Sequence, residues 1–530
     1  MEKIKVGLEL ASKISDPPII LMSVIPFIAC SSTFSAYCVV LCTQTLDPMH
    51  TLVYLVGSIV PWACIYIFWN FYYHTCAREH GVDTSEFLVW TDATSSHARQ
   101  YRYRRIPIAC FYESYISGEV SFNPACEKGD CYLILKKHRH KFLNWKISYA
   151  QIKWLIAQFL PKFVTGSGLG VGSSSGKSKS DTLKEIKEHY DRGNASFSAM
   201  LGRSMIYTCA LFETMPKFAS DYDGDYAKSA NDETLEAAQH NKMRTICDKL
   251  MLQNGESLLD IGCGWGTLLR HSVLLRGAEA TGVTLSVQGR DFCDFSSRNM
   301  KIPTTTLLMD YRDIPDSSKK YDKICSIEMA EHVGLANFTN PYLSKVKNLM
   351  KGPDSRFCLQ VSGLKKGASW EDMAWGLFMS KYIFPGADAS TPLNWYIRQC
   401  ENTGLELISV ENIGGQYSLT LHKWYDTWMS NKDKIMSGDT EPTLEPEHRQ
   451  HLFRLQELFL AWSTIASEQG SATCYQMILK KNVYESTRFY ESPAGSNSTK
   501  RVAIGAELLA EITPSLSQIK GEYGKHKKKD

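Results

Sequence analysis

Two stretches near the N-terminus carry no charged side chain: residues 17–46 and residues 51–73, separated by Asp47-Pro-Met-His50. A bilayer span needs about 20 apolar residues, so both are long enough to cross. The short polar break between them predicts a helical hairpin. Lys3, Lys5 and Lys13 precede it, and Arg78, Arg99, Arg102, Arg104 and Arg105 follow it. The positive-inside rule then puts both ends on the cytosolic side. Residues 147–160 are apolar at helical spacing between Lys146 and Lys162, which predicts an interfacial helix or one packed on the globular body. A Gly/Ser-rich run at 165–180 reads as a flexible linker. From residue 181 the pattern turns globular. Helices are predicted over 181–190 and 233–250. Strands are predicted over 257–261, 280–285, 305–309, 322–328 and 356–361, with helices between them, as in an alternating α/β sheet. The tail from residue 493 is polar and ends in Lys525-His-Lys-Lys-Lys-Asp530. The expected organisation is therefore a membrane hairpin (1–80), a connecting region (81–163), a linker (164–180), an α/β domain (181–492) and a tail (493–530).

The densest chemistry lies in Leu259-Asp260-Ile261-Gly262-Cys263-Gly264-Trp265-Gly266-Thr267. A buried strand ends at Asp260, three glycines alternate, and a helix pattern follows from residue 268. Glycines let the backbone turn sharply and approach a ligand, and a helix N-terminus behind them suits a nucleotide. Spacing decides which nucleotide. The dinucleotide fingerprint is G-x-G-x-x-G with an acidic residue about 20 positions on. Here the spacing is G-x-G-x-G, and the next strand runs into Thr284-Leu285-Ser286-Val287-Gln288 with no carboxylate, which argues against NAD. The D-x-G-x-G-x-G pattern resembles motif I of class I S-adenosylmethionine-dependent methyltransferases. That resemblance implies a Rossmann-like α/β domain and S-adenosylmethionine as cofactor. Gly176-Lys177-Ser178 is not a phosphate loop: Val171 stands where the first glycine belongs, and no strand precedes it.

Composition narrows the picture little further. A net charge of +3 gives no field for nucleic acid. The 16 cysteines form no C-x-x-C pair, so no zinc or other metal site is expected, and reduced thiols are the default. Lys527 and Lys528 resemble a dilysine retrieval signal of the endoplasmic reticulum, against the plain alternative of a solvated basic tail.

From about residue 186 to 480 the chain resembles the cyclopropane fatty-acid and mycolic-acid synthase superfamily. The matching segments are His189-Tyr-Asp-Arg-Gly-Asn194, Met205-Ile-Tyr-Thr-Cys-Ala210, Glu233-Thr-Leu-Glu-Ala-Ala-Gln239, the motif I loop, Thr281-Gly-Val-Thr-Leu-Ser286, Asp310-Tyr-Arg-Asp313 and Glu331-His-Val-Gly334. Trp375-Gly-Leu-Phe-Met-Ser-Lys-Tyr-Ile-Phe-Pro-Gly-Ala-Asp-Ala-Ser-Thr-Pro-Leu393 and Gln469-Gly-Ser-Ala-Thr-Cys-Tyr475 look like the sphingolipid C9-methyltransferase branch, which also carries two N-terminal spans. The resemblance implies roles. Tyr207 and Thr208 close over the cofactor. Asp260 and the loop hold its methionine half. Thr284 and Leu285 mark the ribose strand end, and Tyr311 and Arg312, after Asp310, the adenine side. Cys209, Glu331 and Tyr417 match positions that hold a bicarbonate ion in the cyclopropane synthases. Three positions depart. Gln360 replaces an imidazole anion ligand, Ser463 replaces a further cysteine, and Gly289, beside Gln288, replaces a ribose-binding glutamine.

An alkene attacking the sulfonium methyl leaves a carbocation. The site must therefore align the reactants, exclude water, stabilise positive charge and accept a proton. From sequence, Glu331 is the candidate for the last two tasks, Tyr417 for orienting the base, and adjacent His332 ranks lower. Proton loss from the added methyl would close a cyclopropane; loss from the chain carbon restores an alkene, and the altered anion ligands favour the alkene. The leading expectation is a membrane-bound enzyme that methylates the sphingoid base of ceramide or glucosylceramide. Its rivals are a synthase acting on phospholipid acyl chains and an inactive membrane interaction protein.

Overall fold

The computed structural model describes residues 82–101, 105–142, 178–180, 182–183, 193–213 and 233–481, apart from 317–318, 366–368, 385–386, 388–390, 441 and 443. The chain divides into two compact units, residues 1–149 and 150–530. The hairpin expected at 17–46 and 51–73, the helix at 147–160, most of the linker and the tail lie outside the described residues. Among the described residues no helix is long and apolar enough to cross a membrane.

In the first unit, strands β1 (Leu88–Trp90) and β2 (Val120–Phe122) pair antiparallel. Helices α1 (Ser96–Tyr101), α2 (Ile108–Ser117) and α3 (Cys131–His138) complete it. Asp130 caps α3 by accepting from the Leu133 N–H at 2.8 Å, satisfying one of the donors a helix start leaves open. Aromatic rings make its core: Phe87 stacks on His138 at 4.8 Å, and Phe111 lies 4.7 Å from Phe142.

The second unit runs α4 (Asn194–Leu201), α5 (Leu235–Lys249), β3 (Ser257–Ile261), α6 (Thr267–Arg276), β4 (Glu279–Thr284), α7 (Val287–Asn299), β5 (Thr304–Leu308), β6 (Lys323–Ile327), α8 (Ser344–Leu349), β7 (Arg356–Leu364), α9 (Trp370–Phe378), α10 (Leu393–Thr403), β8 (Leu405–Asn412), α11 (Gly414–Ser430), α12 (Lys432–Ser437), α13 (Pro446–Glu468) and β9 (Ala472–Lys481). The sheet order is β5-β4-β3-β6-β7-β9-β8. The five strands read from the sequence are the five parallel ones. β8 and β9 were not anticipated; β9 inserts antiparallel between β7 and β8. The exposed outer half of β8 gives its sequence no continuous apolar signal.

Alternate residues of the central strands feed two cores. Leu259, Ile324, Phe357 and Leu479 pack on one face, and Leu258, Cys325, Cys358 and Ile478 on the other. Burial on both faces is what a parallel sheet covered by helices requires. Strand order reverses at β3, so the crevice beyond the carboxyl ends of β3 and β6 is where such a sheet binds ligands. α11 and α13 pack together nearby: Trp428 stacks on Phe453 at 5.7 Å and its indole N–H donates to the Phe453 carbonyl at 3.2 Å.

Candidate active site

At that crevice a cleft encloses about 1320 Å³, counting its open mouth. Of the residues the sequence assigns to the cofactor, Tyr207, Thr208, Asp260, Ile261, Gly262, Cys263, Gly264, Trp265, Thr267, Thr284, Leu285, Ser286, Gly289, Asp310, Tyr311 and Arg312 form its wall. The other four are not part of that wall. Leu259 is core, and Gly266 starts α6. Val287 is exposed, and the Gln288 side chain accepts from the Asn194 N–H at 3.1 Å. Asn194 in turn accepts from the Trp265 indole at 2.8 Å, so the loop and the segment before it brace each other.

Two glycines explain the loop. Gly262 has φ +86°, and a Cβ there would lie 2.6 Å from Met329 Cγ. A Cβ on Gly289 would lie 2.8 Å from the Gly264 carbonyl oxygen. The glutamine that the resemblance leads one to expect at 289 has no room here. Ser286 caps α7 by accepting from the Gly289 N–H at 3.0 Å, which pins the close approach.

The residues present fit S-adenosylmethionine. Asp260 is 3 % exposed, and its Oδ1 has no hydrogen-bond partner among the described residues. Burial pushes its carboxyl up to about 7. A buried acceptor without a donor is costly, and the ammonium group of a bound methionine moiety would satisfy it. Across the cleft Arg312 donates to both oxygens of Asp310, at 2.8 and 2.6 Å, fixing the turn that presents Tyr311. Lys242, fully buried, donates to the Thr208 hydroxyl; burial pulls its amine down to about 8, with the Glu328 carboxylate acting in the opposite sense.

The active-site candidates converge on a residue the sequence did not single out. Glu328 follows β6 directly, with φ +51°. Its N–H still donates to the Gln360 carbonyl at 2.8 Å, continuing the parallel ladder before the backbone turns left-handed. The Glu328 carboxylate accepts from the Cys209 N–H at 2.9 Å, Gln360 Nε2 at 2.6 Å and the Tyr417 hydroxyl at 2.8 Å. The Cys474 thiol stands 3.6 Å from the same carboxylate. Cys209 contributes its backbone; its thiol donates to the Ala210 and Ile413 carbonyls at 3.4 and 3.7 Å. Gln360 pairs with Gln476 across β7 and β9 and accepts from its amide at 2.9 Å. Gln476 accepts in turn from Lys249. This places every amide of the relay with its donor end toward Glu328.

Glu331, the residue chosen from sequence, takes a different position. It lies in a single turn, Ala330–His332, 6 % exposed, and its Oε1 accepts from the Ser362 N–H and hydroxyl. Its Oε2 is buried without a partner among the described residues. Burial, and then the charge of Glu328, push its carboxyl up to about 8. From this segment Glu328, Met329, His332 and Val333 form the cleft wall, so His332, ranked low from sequence, faces the cleft. Ser463 lies in α13, bonded to the Trp375 indole at 3.1 Å and to Met379 sulfur at 3.8 Å. It belongs to the packing of α9 on α13 rather than to the Glu328 cluster.

Residues 177–477 match the mycolic acid cyclopropane synthetase family. The chain is 38% identical over 387 residues to sphingolipid C9-methyltransferase 2 of Gibberella zeae, spanning 72% of this chain and 66% of that protein. It is 38% identical over 395 residues to the sphingolipid C9-methyltransferase of Komagataella phaffii, spanning 73% and 72%. The cyclopropane-fatty-acyl-phospholipid synthase of Escherichia coli is 34% identical over 255 residues, 48% of this chain and 59% of that protein. A motif I cleft at the switch point of the sheet and these matches lead to one conclusion: the chain belongs to the sphingolipid C9-methyltransferase family, within the mycolic acid cyclopropane synthetase family.

Proposed function

We propose that the protein methylates C9 of the Δ8 double bond in the sphingoid base of ceramide or glucosylceramide, using S-adenosylmethionine and leaving a methyl-branched alkene. The observation that carries this reading is the placement of a motif I loop and a clamped carboxylate on one cleft wall, in a chain of this family. The cofactor, when bound, supplies an electrophilic methyl group. Asp260 and the 262–266 loop would hold its methionine half, Thr284 and Leu285 its ribose, and Tyr311 and Arg312 its adenine.

The chain's own residues then have three tasks. Apolar groups such as Met205, Ile206, Met329 and Val333 exclude water from the cleft. Tyr207 packs on Phe384 and Trp424 at 5.8 and 5.4 Å, offering ring faces to a developing cation. A carboxylate takes the proton. The alkene bonds through C9 to the methyl carbon as the methyl–sulfur bond breaks and its electron pair stays on sulfur, releasing S-adenosylhomocysteine and leaving positive charge at C8. The C9–H bond then breaks, and its electron pair forms the new C8=C9 π bond.

We also place the protein at a membrane. The uncharged segments 17–46 and 51–73 are each long enough to cross a bilayer. The test is incubation of the full chain with labelled methyl donor and, separately, Δ8-unsaturated ceramide, the matching glucosylceramide, and phospholipids with unsaturated acyl chains. Label in the sphingoid base is expected. Label confined to phospholipid acyl chains would contradict the proposal.

A further inference from the structure

We infer that the Glu328 carboxylate is the proton acceptor, a base built into the chain in place of a dissociable anion. The inference rests on the methyl-transfer reading above and names the group that completes it.

Three donors from separate parts of the chain meet at this one side chain: the Cys209 N–H, the Gln360 amide of β7 and the Tyr417 hydroxyl of α11. All three are spent on Glu328, so a separate anion bound here would find them occupied. The two oxygens are not equivalent. Oε1 faces the Cys209 N–H, the Gln360 amide and the Cys474 thiol, whereas Oε2 accepts one hydrogen bond among the described residues, from Tyr417. A carboxylate oxygen can accept two, so Oε2 keeps a lone pair.

The backbone supports the same reading. Glu328 sits at φ +51°, a left-handed conformation that costs a glutamate and costs glycine nothing. Strain of this kind persists at functional sites because the surroundings enforce it. Here it turns the side chain from the end of β6 onto its donors and into the wall that also holds Gly262 and Gly264. The neighbouring carboxyl does not compete, since burial holds Glu331 near 8 and Ser362 occupies its Oε1.

In the step itself the C9–H bond breaks, its pair closes the C8=C9 π bond, and the proton passes to Glu328 Oε2. Tyr417 and Gln360 hold the resulting acid in place. The acid returns its proton to water as the product leaves, which restores the carboxylate.

The test uses the full-length protein on Δ8-unsaturated ceramide in carbon-dioxide-depleted buffer, with and without added bicarbonate or formate. Wild type is compared with Glu328→Gln and Glu328→Gly. Binding of S-adenosylhomocysteine, followed by calorimetry, reports folding and an intact cofactor site for each variant; glycine adopts this φ without backbone strain. Wild-type turnover is expected to change by less than about twofold between buffers, and Glu328→Gln to lose about 100-fold or more, the scale of a positioned general base. Glu328→Gly should be equally slow in depleted buffer and regain about tenfold when formate or bicarbonate fills the vacated site. Wild-type turnover that depends on bicarbonate, an active Glu328→Gln, or a Glu328→Gly that binds S-adenosylhomocysteine yet ignores both anions would overturn the inference. Wild-type protein that methylates no lipid alkene would instead count against the methyl-transfer reading.

Discussion

The Tyr417 hydroxyl donates to Glu328 Oε2 at 2.8 Å, joining the start of α11 to the end of β6 across 89 positions of sequence. Burial, followed by the Glu328 charge, raises the phenol well above its ordinary range, so it acts as a neutral donor. A hydrogen bond to a charged group contributes about 1.5–3 kcal/mol. Tyr417→Phe is therefore expected to lower kcat on Δ8-unsaturated ceramide by about 10–100-fold, the rate equivalent of that energy. S-adenosylhomocysteine affinity should stay unchanged. Unaltered kcat would show that the hydroxyl does not orient the carboxylate.

Gln360 is fully buried and joins Glu328 to Gln476. Gln360→Leu strands the Gln476 amide and removes a donor from Glu328. Each buried polar group left unpaired costs about 1–3 kcal/mol, so a comparable loss of stability is expected in denaturant unfolding. Gln360→Glu should be worse than Leu, because it sets a second carboxylate against the first.

Gly289 approaches the Gly264 carbonyl too closely for a side chain. Gly289→Ala is expected to displace the motif I loop and raise the KM for S-adenosylmethionine by about tenfold, equal to about 1.4 kcal/mol, with less effect on kcat. Steady-state kinetics with varied cofactor checks this. A kcat defect at unchanged KM would place the strain elsewhere.

The Glu331 carboxyl is raised from 4.5 to about 8 by burial and then by Glu328. The folded state thus holds a proton that the unfolded chain releases. Stability from this group is fully present below about pH 4.5 and declines as pH rises to about 8. Glu331→Gln imitates the protonated form and keeps an oxygen for Ser362. It should melt higher than wild type at pH 8–9, with the gap narrowing toward pH 5. Parallel melting curves across that range would refute the assignment.

The motif I loop was legible because strand, turn and helix start are contiguous, and each glycine answers a local need, as Gly262 does against Met329. The central strands β3 and β6 were legible as short runs buried along nearly their whole length, and the edge strand β5 by its β-branched threonines although much of it is exposed. β8 was not, since half of it faces outward, nor β9, which joins the sheet only after α11 and α13 have intervened. Glu328 was missed for a related cause. Its donors stand 119, 32 and 89 positions away, and its left-handed backbone leaves no mark in the sequence. Two carboxylates three positions apart, Glu328 and Glu331, differ only in what folds around them. Motif comparison selected Glu331, whereas the fold assigns the donor cluster to Glu328.

The central claim is that methyl transfer ends in an alkene. It is tested most directly with a donor carrying a fully deuterated methyl group, Δ8-unsaturated ceramide and mass analysis of the sphingoid base. Proton loss from C9 predicts a product that keeps every deuterium of the transferred methyl. A product that has lost one deuterium would mean that the proton came from the methyl group and a cyclopropane ring had closed, contradicting the account.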